Sequence, residues 1–287
     1  MQLRSLAQYL IPQHILSRFF GKIANLRIVW LKNFLIKEFI KVYKIDLESA
    51  KDPDPTHYAS FNDFFTRELK TEARPIANLT NAVISPVDGK IVEIGAIADN
   101  KLIYAKGRGF SLAELLQNQA DAEIFQTGNF AVIYLAPYNY HRIHMPCSGV
   151  LEKMLYIPGK LFSVNQRTIL DIPNVFARNE RVVTIFNTHF GKMALVMVGA
   201  LNVGSIETIW HGVITGSMDV GSAQNISLTS ITTPITKGAE IGRFNLGSTV
   251  ILLTPKNTLQ WQAEIKSGST VQMGQMLGVY SKEISAI

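Results

Sequence analysis

From about residue 81 onward the chain is a succession of short apolar runs cut by Gly, Pro and Asn, and this texture constrains the fold more than any other feature of the 287 residues. "FAVIYLAP", "GVLEKMLYIPG", "RVVTIFNTHF", "MALVMVGALNVGSIETIW" and "TVILLTP" are rich in β-branched and aromatic residues, and turn-forming residues bound each of them. "AVISPVDGKIVEIG" sets Asp88-Gly89 between two such runs, which predicts a tight hairpin turn. The longest uncharged run, Met193 to Ile206, is broken by Gly199 and Gly204 and is too short to span a bilayer. These runs predict a mainly antiparallel β body. One modest helix is expected near Ser111 to Gln117, where "SLAELLQ" follows a capping serine.

The first 44 residues are of a different kind. Arg4, Arg18, Lys22, Arg27, Lys32, Lys37, Lys41 and Lys44 face Glu38 alone, so the net charge of +6 belongs to this segment and the body is nearly neutral. In "RIVWLKNFLIKEFIKVYKI", Ile28, Leu31, Leu35, Phe39 and Val42 follow helical spacing, with Lys37, Lys41 and Lys44 on another face. "PQHILSRFFGKI" reads as a second short helix with Pro12 in its first turn and Gly21 near its end. A basic residue interrupts every few positions, so neither stretch spans a bilayer. An ordinary surface helix satisfies the pattern. A helix lying in the membrane interface does too, its apolar face among acyl chains and its lysines on anionic head groups. The segment lacks the serine richness of a transit peptide, and no nucleic-acid-binding motif follows it. Pro53 and Pro55 end the helical pattern, which divides the chain into a basic amphipathic region (1–52) and a β-rich domain (53–287). Ser60 and Asp63 then offer a capping box for a helix running towards Leu69.

A composition of 47% hydrophobic and 17% charged residues excludes a disordered chain. The single Cys147 excludes an internal disulfide and favours a reducing compartment. "SPVDGKIVEIG", "PCSGVLEKMLYIPGKLFSV" and "SGSTVQMGQMLGVYS" each couple a glycine turn to a strand, as in the compact sandwiches that carry lipoyl or biotinyl groups. Lys90 beside Asp88-Gly89 imitates their prosthetic lysine, but the customary methionine neighbours are absent.

Three places hold chemistry-bearing residues. "YNYHRIHMPCSG" contains His141 and His144, which with Asp88 would make a zinc site; the alternative is a pair of histidines bonded within a buried turn. Asp88 needs no function if it only turns a hairpin. "RFNLGSTVILL" reads as a strand kinked at Gly247, with Ser248 and Thr249 after the kink, either a harmless bulge or a reactive peptide bond. His57, His189 and His211 lie in unremarkable surroundings. Taken together, an acid, a histidine and a serine could make a nucleophile, its base and the group that orients the base. Gly247, lacking Cβ, would let Ser248 Oγ reach the preceding carbonyl. A membrane-bound β adaptor, in which "LGST" is only a bulge, is the non-enzymatic reading.

"FNDFFTREL", "SPVDGKI", "YNYHRIHMPCSG", "PGKLFSVN", "FARNERV", "VGALNVGSIET" and "KGAEIGRFNLGSTVILL" occur in that order between about residues 61 and 253. In these stretches the sequence resembles the bacterial, membrane-associated phosphatidylserine decarboxylases, and the basic amphipathic start suits that family. The resemblance implies that Asp88, His144 and Ser248 form a self-cleaving triad: His144 the base, Asp88 its orienting acid, Ser248 the attacker of the Gly247 carbonyl. Cleavage between Gly247 and Ser248 would leave a β chain (1–247) and an α chain (248–287) with a covalent pyruvoyl group made from Ser248. That group would form a Schiff base with the serine amine of phosphatidylserine and take up the electrons left when CO₂ departs, giving phosphatidylethanolamine. His141 is the candidate proton donor or head-group contact.

The resemblance further implies a tight heterodimer of the two chains, doubled into a larger assembly in one version, and a peripheral site on the cytoplasmic side of the bacterial inner membrane. No metal and no nucleic acid enter this reading. The expected fold is α+β: N-terminal amphipathic helices followed by a mainly antiparallel β body resembling barrel-sandwich hybrid domains.

Overall fold

A computed structural model describes residues 8–98, 101–104, 108–201, 205–214, 224–226 and 233–280. Arg4 and positions 202–204 of the "VGALNVGSIET" stretch lie outside them. In chain order the strands are β1 (Ala82–Ile84), β2 (Gly89–Ala96), β3 (Lys101–Tyr104), β4 (Arg108–Ser111), β5 (Asn129–Leu135), β6 (Arg142–His144), β7 (Gly149–Ile157), β8 (Arg181–Thr188) and β9 (Gly191–Val198). They continue with β10 (Ser205–Thr208), β11 (Gly212–Val213), β12 (Gln224–Asn225), β13 (Glu240–Asn245), β14 (Ser248–Thr254), β15 (Leu259–Trp261), β16 (Thr270–Val271) and β17 (Met276–Tyr280).

The centre is an eight-stranded antiparallel sheet in the order β12-β7-β8-β9-β14-β5-β2-β16. Smaller sheets, β11-β10-β13-β6 and β1-β17-β15, accompany it, and no closed barrel forms among the described residues. The fold is α+β with mostly antiparallel sheets, as the sequence suggested. β14 is buried along its whole length because both faces of the large sheet are covered. Val250 and Leu252 join one core with Ile133, Leu195, Ile143 and Phe244, while Ile251 and Leu253 join a second with Leu112, Phe125, Ile169 and Phe176. Two-sided burial removes any need for polar alternation, which is why "TVILL" is uniformly apolar. The helix Leu112–Leu116 starts at Ser111 with a full capping box, Ser111 Oγ accepting from Glu114 N and the Glu114 carboxylate accepting from Ser111 N.

Several local expectations are corrected. The strands flanking Asp88-Gly89 form no hairpin: β1 pairs with β17, whereas β2 pairs with β5 and β16. Glycine is required at 89 for close approach, since a Cβ there would lie 2.5 Å from the Tyr134 carbonyl oxygen. Lys90 sits in β2 opposite Tyr134 and Thr270, not at a turn tip. The helix after Ser60 covers only Phe61–Phe65, because Thr66 Oγ1 turns back to the Asn62 carbonyl and Leu69 bridges to Ala50. "RFNLGSTVILL" is not one kinked strand: β13 belongs to the four-stranded sheet and β14 to the eight-stranded one, and Leu246-Gly247 is the corner between them.

The N-terminal helices are Gln13–Ala24, which runs through Gly21, and Val29–Tyr43. Their inner face differs from the one the spacing indicated. Ile36 and the stem of Lys32 are buried, Lys32 Nζ donating to the Thr56 carbonyl, and Phe39 packs on Phe61, Phe64 and Phe65. Gln13 holds the first helix to the body by accepting from Leu161 N. Leu10, Ile15, Phe19, Val29, Trp30, Phe34 and Val42 stay exposed, and no described helix is long and apolar enough to cross a membrane.

Candidate active site

The corner at Leu246-Gly247 is strained. Gly247 has φ +47° and Leu246 has φ +88°, a left-handed value that costs a branched L-residue about 1–3 kcal/mol. A Cβ on Gly247 would meet nothing within 4 Å, so the glycine is needed for its conformation and not for space. The next residue, Ser248, opens β14 opposite Leu135 of β5 and is 1% exposed. Its Oγ has no hydrogen-bond partner among the described residues. Burying an unbonded hydroxyl costs stability, and this one directly follows the strained corner. Thr249 Oγ1 is also buried and unpartnered, but strand alternation turns it to the opposite face.

Both histidines come from the segment after β5, and β13 anchors it. The His141 carbonyl accepts from Phe244 N, and His144 lies opposite Glu240 in the β6–β13 ladder. Arg142 ties the same segment down by donating to the Thr66 carbonyl, Glu68 and Glu240. The ladder therefore places His141 nearer along β13 to the Leu246-Gly247 corner than His144.

His144 Nδ1 is 2.8 Å from the Gly238 carbonyl oxygen, and Nε2 is 2.9 Å from the Tyr140 hydroxyl. A carbonyl only accepts, so Nδ1 carries the proton and Nε2 is left to accept from Tyr140. Burial lowers the pKa of His144, with a smaller opposing contribution from the Gly238 bond, so the ring is a neutral base near pH 7. His141 is fully buried, its ring stacked on Phe65 at 4.1 Å. Neither of its nitrogens makes a well-aligned hydrogen bond; burial, reinforced by the charge of Arg67, pushes its pKa down to about 3 against a smaller opposing effect of the nearby Pro137 and Ala136 backbone.

Asp88 is buried and heavily engaged. It accepts from Arg74 Nε at 2.9 and 3.1 Å, from Arg74 Nη2 at 2.5 Å and from Met273 N at 2.8 Å. The same pair raises the pKa of Arg74, the bonds to Asp88 outweighing desolvation. No hydrogen bond joins Asp88 to His144, or His144 to Ser248, among the described residues. Asp88 nevertheless acts on His144 through space, its charge favouring the protonated ring. Two of the residues singled out in the sequence, Asp88 and His144, are thus held by groups that the sequence reading did not include: Arg74, Tyr140 and the Gly238 carbonyl. Nothing in local spacing marks those three; a tyrosine at i−4 from a histidine is the only hint.

The zinc reading gains no support from this geometry. No group of three or more His, Cys, Asp or Glu side chains is gathered for a metal among the described residues. Cys147 is buried against Met193, and burial pushes its thiol up to about 12.

Gly247 and Leu246 open onto an apolar cavity of about 320 Å³. The Gln13–Ala24 helix supplies Phe20 and Ile23 to its wall, the Val29–Tyr43 helix supplies Leu35, Phe39 and Tyr43, and Phe61 and Phe65 close it. The amphipathic helices therefore form part of the site's own wall. A second, polar cavity of about 300 Å³ is lined by Asp88, Arg74, Arg67 and Tyr140, and Tyr43 belongs to both.

A family model described as phosphatidylserine decarboxylase matches residues 61–279, and one described as PSD matches residues 3–44. The chain is 48% identical over 275 residues to a phosphatidylserine decarboxylase proenzyme of Ectopseudomonas mendocina, covering 95% of this chain and 96% of the relative. It is 47% identical over 272 residues to that of Saccharophagus degradans, with 94% of each chain covered. Against the proenzyme of Nitrosococcus oceani it is 47% identical over 277 residues, 96% of this chain and 90% of the relative.

Proposed function

Because the chain belongs to the phosphatidylserine decarboxylase family, we propose that it is a proenzyme that cuts itself between Gly247 and Ser248 and then converts phosphatidylserine to phosphatidylethanolamine and CO₂. The observation that carries this reading is the Ser248 hydroxyl, buried without a partner beside a strained glycine corner.

On this reading Ser248 Oγ adds to the Gly247 carbonyl; the C–N bond breaks, a C–O bond forms, and the amide becomes an ester. Removal of the Ser248 α-proton expels the Gly247 carboxylate and leaves a dehydroalanine. Its imine tautomer takes up water and releases ammonia, so one water is consumed and a ketone ends the 248–287 chain. His144, kept neutral by burial, is the base, and it must release Tyr140 before Nε2 can take the Ser248 proton. Asp88 supports the resulting imidazolium by its charge, while Gly238 and Tyr140 set the ring's tautomer.

The site fits a pyruvoyl group: the serine that would become it is enclosed, adjoins the apolar cavity and lacks a competing partner. Once formed, that group supplies the electron sink that no natural side chain provides. The chain's own residues then do the rest. The apolar wall excludes water from a carboxylate that must lose its charge, and His141, stacked on Phe65 of that wall, is the candidate to deliver a proton or meet the head group.

β14 lies between β5 and β9, so chains 1–247 and 248–287 remain a heterodimer after cleavage. Residues 1–52 serve as the membrane-associating region, beside a catalytic domain of residues 53–287. The exposed Phe19, Trp30 and Phe34 enter the acyl boundary with basic residues on anionic head groups, which makes the enzyme peripheral at the cytoplasmic face of the bacterial inner membrane. The test is Ser248→Ala, which should stay one inactive chain. Appearance of a 248–287 fragment in that variant would overturn the assignment.

A further inference from the structure

Arg67 follows the Phe61–Phe65 helix and is 5% exposed, its guanidinium 5.3 Å above the Phe64 ring. Its Nε is enclosed and unpartnered, and no carboxylate among the described residues forms an ion pair with it. The fold treats its other buried guanidiniums differently. Arg181 donates to the carbonyls of Leu115, Ala177, Asn179 and Glu114, and Arg74 is held by Asp88. Leaving a buried charge unpaired costs stability, and an apolar side chain of similar volume would suit the position better. Stability therefore does not account for Arg67.

Its place does. Arg67 lines the polar cavity of about 300 Å³ together with Lys44, Arg74, Asp46 and Asp88. Three positive groups face two negative ones, so the cavity is short of one negative charge. Tyr43 lines both this cavity and the apolar one at the cleavage corner, and Phe65, two residues before Arg67, lines the apolar side. The two together match an amphiphile with one anionic group at its polar end.

We propose that Arg67 is the receptor for the phosphodiester of the lipid head group, bound in the polar cavity, with the serine end reaching the Gly247-Ser248 corner and the acyl portion lying along the apolar wall that leads to it. This deepens the phosphatidylserine reading and rests on it. The substrate carboxylate is the competing anion, but it loses its charge in the transition state, and pairing it with a fixed guanidinium would stabilise the ground state more. The phosphodiester keeps its charge throughout, so its binding is not lost as the reaction proceeds. A planar fork of donors suits two phosphate oxygens at once.

The test uses the uncleaved Ser248→Ala chain, so it involves neither the pyruvoyl group nor turnover. Calorimetric titration with glycerophosphoethanolamine, which has the phosphodiester and no carboxylate, should show binding. Inorganic phosphate should bind at least tenfold more weakly, and L-serine should not compete. Adding Arg67→Met should weaken glycerophosphoethanolamine at least tenfold while the melting temperature holds or rises, and Arg67→Lys should restore part of the affinity. Equal binding by the Arg67→Met and parent chains would overturn the proposal, as would competition by L-serine or equal affinity for inorganic phosphate. Should the Met variant fail to fold, unchanged affinity in the Lys variant would count against it. Failure of the cleaved wild type to release CO₂ would instead refute the decarboxylase reading, whatever the titration gives.

Discussion

The Tyr140 hydroxyl lies 2.9 Å from Nε2 of His144 and occupies the one ring position that could take a proton from a nucleophile, because Nδ1 already donates to Gly238. On the proposed reading, in which His144 is the base, it is thus held in the right tautomer and blocked at the same time. A neutral hydrogen bond of this kind is worth about 1 kcal/mol net. Tyr140→Phe should remove that competition and quicken self-cleavage by roughly two- to tenfold, where 1.36 kcal/mol is tenfold. A time course of newly synthesised chain on a denaturing gel measures it, and slower cleavage would show that the hydroxyl assists the base.

Strain at the corner should appear as rate. Leu246→Gly relieves a φ of +88°, although glycine's greater freedom in the unfolded chain offsets the gain in stability. If about 1–2 kcal/mol of strain is released on the way to the ester, removing it slows cleavage by about five- to thirtyfold with little change in melting temperature. An unchanged rate would mean that the strain only turns the chain from one sheet to the next.

Arg74 should matter first for stability. Arg74→Met leaves the Asp88 carboxylate, 5% exposed, with Met273 N as its one remaining hydrogen-bond donor among the described residues. Breaking a buried pair in this way costs about 3–5 kcal/mol. Urea unfolding of the Arg74→Met chain in the Ser248→Ala background reads this directly, and a loss below about 1 kcal/mol would show that solvent reaches Asp88 easily.

The membrane role is tested on exposed residues and not by deleting the helices, because Phe39 and Gln13 are part of the folded body. Trp30→Ser with Phe34→Ser should weaken binding to anionic vesicles at least tenfold, since burying each ring in lipid is worth about 1.5–3 kcal/mol. Self-cleavage and melting temperature should hold. Vesicle binding equal to that of the parent would remove these helices from the interface.

How much of this was legible in the sequence depended on how local the cause was. The Ser111 capping box and the strand runs could be read, because their determinants lie within a few residues. Asp88-Gly89 misled: the same dipeptide that favours a hairpin is required here by Tyr134, 45 positions away in the chain, whose carbonyl leaves no room for a Cβ. The buried face of the Val29–Tyr43 helix was misjudged at Lys32, since a lysine stem can be covered while its Nζ finds the Thr56 carbonyl. At the candidate site, the sequence singles out Asp88, His141, His144 and Ser248 by type and motif, but nothing local in it marks the groups that hold Asp88 and His144. Arg74 and Gly238 meet Asp88 and His144 only when β6, β13 and the 61–74 segment come together, and Arg67 has no bonded partner among the described residues to mark it.

Intact-mass spectrometry of freshly purified wild-type protein tests the central claim most directly. Two species are expected, residues 1–247 with an ordinary carboxyl terminus and residues 248–287 with a ketone in place of the first amine. Fully active material of one continuous chain near 31.9 kDa, with serine intact at position 248, would contradict it.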